Sequence, residues 1–307
     1  MKVLLLLGAS WAFLGTGFPI TAVFVQAQGH CPARIPAMRF RIVAGALVVV
    51  PARVNGDGPY DFIVDTGSQL NVIDPFLAAQ LGLKSRGTVG LVSATTRSQA
   101  QVTVLDSVEA GSYLVTKSLA AVHDLGPFRA ADLRIRGVLG ESYLAHFDVL
   151  IDYKHTVLCL DKEKLMQSEI RGDRIPLMPP GDPKGDVPFA ERLVIQVMLP
   201  AIARRPILLQ LDSGSDGPIL FARHGDMNLP LLQPARLSDK KMLSFAALPK
   251  ADIQVGARKI RGIRFVTPVS APGQRLPDRD DDGLLATILF RRVYISHTDH
   301  YVILDPR

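Results

Sequence analysis

Two short stretches constrain this chain more than anything else in it. In the first, Phe62, Ile63 and Val64 form an apolar run that stops at Asp65, Thr66, Gly67 and Ser68. A strand of that composition is buried, so it carries Asp65 out of an interior to a sharp turn that Gly67 permits, with hydroxyls alongside. Taken alone, this is an ordinary Asp capping a turn. A second stretch changes the reading: Leu208, Leu209, Gln210 and Leu211 run into Asp212, Ser213, Gly214 and Ser215, the same order of apolar run, acid, hydroxyl, glycine, hydroxyl. The repetition extends further along each half. Leu139, within Ile135 to Gly140, lies 74 residues after Asp65, and Leu285, within Asp282 to Ala286, lies 73 after Asp212, by subtraction of residue numbers. Unrelated turns would not keep such a step. The chain therefore reads as two copies of one unit that meet about a pseudo-twofold axis, each contributing an acid.

Two carboxyl groups close enough to share one proton cannot both ionise. One stays an acid while the other acts as a base toward a trapped water, a pair able to hydrolyse an amide. Asp65-Thr66-Gly67-Ser68 and Asp212-Ser213-Gly214-Ser215 resemble the paired active-site signatures of the pepsin-like and retropepsin-like aspartic peptidases. The resemblance covers most of residues 39 to 305, and its specificity resides in the two tetrapeptides and the two apolar-Gly elements. It implies a mainly β, bilobal pepsin-like acid protease fold, with two similar β-barrel lobes and an active-site cleft between them. It implies an aspartic endopeptidase with catalytic Asp65 and Asp212 and no metal or cofactor.

By the same resemblance, Thr66 and Ser213 are hydroxyls that cross-link the active-site loops, and Ser68 and Ser215 are donors to the carboxylates. Such donors lower an acid's pKa, which places activity on the acidic side of neutral. A flap hairpin is expected in the polar interval 84 to 104, with its tip at Val92, Ser93, Ala94, Thr95 and Thr96; the tyrosine of pepsin-type flaps is absent from that window. Two departures stand out: Ala286 where the first half has Gly140, and Asp216-Gly217-Pro218 after the second motif where Gln69-Leu70-Asn71 follows the first. The competing readings are a non-catalytic peptide-binding module and an envelope interaction protein on the same fold.

The chain has 307 residues, 48% hydrophobic, with 25 Gly and 22 Pro, which suits strands and turns in one large or two medium domains. Between Lys2 and Arg34 there is no Asp, Glu, Lys or Arg, and Val25-Gln26-Ala27 offers a small-residue cleavage site. Residues 1–27 are expected to be a signal peptide, interrupted by Gly15, Gly17 and Pro19, and the protein to be exported, periplasmic or secreted. The alternative is an uncleaved membrane anchor. Cys31 and Cys159 can pair in an oxidising compartment or remain buried free thiols. The formal net charge of +6 falls to +5 without Lys2, and the basic residues are scattered without interleaved aromatics. That argues against a nucleic-acid partner. The resemblance implies a peptide or protein substrate, and an acid in each half of one chain makes a monomer sufficient.

Between these landmarks the sequence divides into an N-terminal lobe (28–167) carrying Asp65, a Pro- and Gly-rich linker (168–188) and a C-terminal lobe (189–307) carrying Asp212. Asn55 to Pro59 is a turn feeding the strand Tyr60 to Asp65. Asp74 caps a short helix opened by Pro75 and closed by Gly82. Thr287 to Arg292 is helical, and hairpins at 147–160 and 293–304 finish the two lobes. Asp278, Asp280 and Asp282 imitate the start of a calcium loop, but Leu289 stands where the closing Glu is required, so the stretch reads as a solvated loop. The seven His show no metal-ligand spacing and read as surface or structural.

Overall fold

Apolar runs broken at Gly-containing turns give twenty strands and three short α-helices among the residues that the computed structural model describes: 31–179, 190–221, 227, 229, 244–269, 277 and 279–306. The expected signal peptide, linker residues 180–188 and Asp278 lie outside them. In the first half the strands are β1 (Ala37–Arg39), β2 (Arg41–Val43), β3 (Leu47–Val54), β4 (Asp57–Val64), β5 (Asn71–Ile73), β6 (Gly87–Val92), β7 (Arg97–Ala110), β8 (Tyr113–Val122), β9 (Ile135–Leu139), β10 (Asp148–Asp152) and β11 (Val157–Asp161). After β12 (Ile175–Pro176), the second half contains β13 (Val194–Val197), β14 (Ile207–Asp212), β15 (Ile219–Leu220), β16 (Ser244–Val255), β17 (Arg258–Val269), β18 (Gly283–Ala286), β19 (Phe290–Ser296) and β20 (Tyr301–Pro306).

The duplication inferred from spacing is a duplication of topology. In the first half β3-β4-β9-β5-β8-β7 are neighbours in that order, and β7 returns to pair with β3, closing a barrel flanked by β2 and β6. In the second half β13-β14-β18-β15-β17-β16 follow the same order, and a bridge from Met198 to Gln254 joins the ends. Corresponding strands agree in direction: β4–β9 and β14–β18 are parallel, as are β5–β8 and β15–β17. Register agrees as well, with Val64 opposite Leu139 and Leu211 opposite Leu285. The fold is mainly β and bilobal, of the acid protease type.

A third sheet, β1-β11-β10-β19-β20-β12, draws on both halves, with Val149 opposite Ile295 at the junction of β10 and β19. Its inner face joins the two barrels in one core that runs from Phe62 and Leu139 through Val149 to Leu211, Leu285 and Val293. Cys31 and Cys159 are disulfide-bonded, fastening the segment before β1 to β11.

Three local expectations are corrected. The turn before β4 is Asn55-Gly56 alone, both at positive φ, so Asp57 to Pro59 already belong to the strand. Only Thr287–Leu289 forms a helical turn, and β19 begins at Phe290, where pairing with β20 already holds the chain extended and a register shift between Phe290 and Arg292 leaves both Phe290 and Val293 buried. The stretch read wholly as linker contributes β12, whose Ile175 is buried opposite Val302. Elsewhere, Asp74 caps α1 (Pro75–Gln80) by accepting from the Phe76 and Leu77 amides, and Gly82 follows at positive φ.

Candidate active site

Each motif sits where a barrel strand ends. Strand β4 leads into Asp65, whose amide donates to the Leu139 carbonyl on β9, and β14 ends at Asp212, opposite Ala286 on β18. Gly140 is where the first acid loop rests on β9: a methyl group there would lie 2.2 Å from the Leu70 carbonyl oxygen, and the next residue, Glu141, donates its amide to Ser68. The second half holds buried Ala286 at that position, although its exit runs likewise, bringing Ile219 opposite Leu284 as the first brings Val72 opposite Val138.

The two loops interlock. The Thr66 amide donates to the Ser213 hydroxyl at 3.0 Å and the Ser213 amide to the Thr66 hydroxyl at 3.1 Å. Each hydroxyl passes its own proton to the backbone of the opposite strand, Thr66 to Leu211 and Ser213 to Val64. All four groups are buried, so the cross-link fixes the spacing of the strand ends.

The acids then face each other across the motif glycines. A methyl group on Gly67 would lie 2.7 Å from the Asp212 carboxyl carbon, and one on Gly214 would lie 2.6 Å from that of Asp65. The two carboxyl groups lie within hydrogen-bonding reach of each other. Gly67 and Gly214 each donate an amide at 2.8 Å to the acid of their own motif.

Ser68 and Ser215 do not serve the carboxylates through their hydroxyls. Those hydroxyls close their own turns, on the Leu70 and Gly217 carbonyls, both at 2.7 Å. A Ser side chain two residues from a free carbonyl satisfies it locally, and backbone amides already hold the acids. Burial pushes the Asp65 carboxyl up, against the amides of Gly67, Gly214 and Ser68. Burial also pushes Asp212 well above the usual carboxylate range, and the Asp65 charge adds to it; the Gly214 amide and the Arg279 guanidinium oppose the rise. Two buried carboxyls this close titrate as a pair, and both cannot readily ionise together.

The hairpin of β6 and β7 turns at Ser93–Thr96, where the Ser93 amide donates to the Thr96 carbonyl and the Ser93 hydroxyl collects the Thr95 and Thr96 amides. Val92 is the last residue of β6 and is exposed. Ala94 packs on Ile219, Phe221 and Leu284 of the other half, so this tip spans from one barrel to the other.

Arg279 and the pair of His297 with Glu141 are further groups at the site to which the sequence assigns no role. Arg279 touches Ser93, Gln210 and Asp281, while Gln210 donates to the Gly67 carbonyl at 3.0 Å. The Asp-rich run around them is solvated only in part: Asp280 is exposed, whereas Asp281 and Asp282 are buried, held by Arg279 and Arg192 and by Arg205 respectively. An alternation of Arg and Asp directly before the Leu284-Leu285 strand was the available signal. His297 forms a buried 2.8 Å pair with Glu141, beneath the first acid loop. Among the described residues no three His, Cys, Asp or Glu side chains gather as a metal site would require, and no helix is long and apolar enough to cross a membrane.

Two like barrels that each supply one carboxyl to a cross-linked pair of turns define an acid protease fold, and the chain resembles the pepsin-like and retropepsin-like aspartic peptidases. Residues 50–143, which include Asp65, match the aspartyl protease family. The chain is also similar to the crystal structure of a retropepsin-like aspartic protease from Rickettsia conorii, with 26% identity over 41% of this chain and 87% of that one and a TM-score of 0.29. No curated protein matches it. The family match supports a protease role.

Proposed function

We propose that the protein is an aspartic-type endopeptidase. One water sits between the two acids; Asp65 takes a proton from it as it attacks a peptide carbonyl, and Asp212 gives its proton to the carbonyl oxygen. The resulting tetrahedral diol collapses when a proton returns to the amide nitrogen, the C–N bond breaks, and the dyad is left with one proton again. Backbone amides at Gly67 and Gly214 hold the carboxylates in place, and no acyl-enzyme forms. The observation that carries this reading is the contact of each motif glycine with the opposite acid.

Export to an oxidising compartment, periplasmic or extracellular, belongs to the same proposal. The Cys31–Cys159 disulfide and the uncharged segment before Arg34 favour it. The test is cleavage of a mixed peptide library by wild type, Asp65→Asn and Asp212→Asn, with and without a statine-type inhibitor. Inhibitable cleavage by wild type and a fall of about a thousandfold in both variants is the expected result. Folded protein that binds peptides without cutting them would instead make the chain a peptide-binding module.

A further inference from the structure

Arg279 is the cation that joins the tip of the β6–β7 hairpin to the second barrel. Its side chain is only 10% exposed. Nε and Nη2 donate to the two oxygens of Asp281, each at 3.0 Å, and the guanidinium carbon lies 4.7 Å from the Phe221 ring centroid. Asp281 is itself buried and takes a second bond from Arg192 at 2.6 Å. A planar fork held by a bidentate carboxylate and an aromatic face has little freedom left, so its remaining donors point in fixed directions. One reaches the Ser93 carbonyl at 3.5 Å and another the Gln210 side-chain oxygen at 3.2 Å.

These contacts bear on both sides of the site. Ser93 belongs to the hairpin tip, and its neighbour Ala94 packs on a patch of Ile219, Phe221 and Leu284 whose Phe221 ring Arg279 overlies. Gln210 stands two residues before Asp212 and braces the first acid loop through its bond to the Gly67 carbonyl. A polar and an apolar contact thus fasten the tip to one place, and that place is linked to the acids.

Resting on the peptidase reading above, we propose that Arg279 is a positioning residue, a clasp that holds the hairpin tip closed on the second barrel. A peptide entering beside the acids must be covered by this hairpin, so the clasp acts on substrate binding. The Thr66–Ser213 cross-link fixes the spacing of the acids independently of it, so the clasp reaches the chemical step only through the Arg279 charge felt by Asp212.

The test compares Arg279→Met, Arg279→Lys and Ala94→Lys with wild type in two measurements. Ala94→Lys sets a cation against Arg279 from the hairpin side and leaves the Asp281 pairing alone, so it decides the matter if Arg279→Met fails to fold. In hydrogen exchange, peptides spanning 90–97 should exchange about tenfold faster in Arg279→Met and Ala94→Lys, with 47–64 unchanged. In peptide kinetics, KM should rise about tenfold with kcat within about threefold, and Arg279→Lys should fall between, since an ammonium keeps the charge and loses the fork. Unchanged exchange in the hairpin overturns the clasp, as does a fall in kcat with KM unmoved. If wild type cleaves no peptide, the peptidase reading fails, and the exchange measurement still decides whether Arg279 holds the tip.

Discussion

At Gly67 and Gly214 there is no room for a methyl group, because the carboxyl of the opposite half occupies it. Gly67→Ala or Gly214→Ala must therefore push the acids apart. Either should destabilise the protein by about 1–3 kcal/mol, read as a lower midpoint in urea, and remove most of the peptidase activity. The hydroxyls of Thr66 and Ser213 are a different case, since each accepts a buried amide from the other loop. Ser213→Ala leaves the Thr66 amide unpaired and should cost about 1–3 kcal/mol in the same measurement, with the fold retained. The acids, the glycines and this hydroxyl pair were legible in the sequence because the motif occurs twice. The direction of the Ser68 and Ser215 hydroxyls was not, because a side chain that can close its own turn does so regardless of the motif around it.

On the scale of elements, the repeat step from each acid to its Leu-containing stretch announced the duplication, and the structure realises it as the parallel pairs β4–β9 and β14–β18, since a fixed crossover length returns the chain to the same neighbour. Charge was harder to read. Asp281 and Asp282 stand in a run that looks hydrated, and the guanidinium groups of Arg279, Arg192 and Arg205 make their burial tolerable. The pair Glu141 and His297 depends on the third sheet, which sets the turn after β19 under the loop of the first acid. Burial works against the His297 charge, but the Glu141 carboxylate more than offsets it and raises the imidazole pKa. A raised histidine stabilises below its unfolded pKa and loses that contribution as pH rises through the folded value. His297→Gln should therefore reduce the loss of melting temperature between about pH 6 and pH 8.

For the molecule as a whole, the acids add to the same trend. Asp65, Asp212 and Glu141 all have carboxyl pKa values raised chiefly by burial, so each favours the folded state most while protonated and less as pH rises. Exposed carboxylates such as Asp57, held low by the Tyr60 hydroxyl, act in the opposite sense and lose their contribution in strong acid. Thermal stability should peak at mildly acidic pH and decline toward about pH 8, more steeply in wild type than in Asp212→Asn. Reduction of Cys31–Cys159, which closes a separation of 128 residues, should lower stability by about 2–5 kcal/mol, read in urea with and without reductant. The most direct measurement is a carbon-13 NMR titration of the aspartate carboxyls in wild type and Asp65→Asn. One carboxyl in wild type should hold its proton well above the usual carboxylate range, and in Asp65→Asn the Asp212 carboxyl should titrate lower once the neighbouring charge is gone. Two carboxyls that titrate independently near the ordinary aspartate value, unchanged by the substitution, would contradict a shared proton between the two halves.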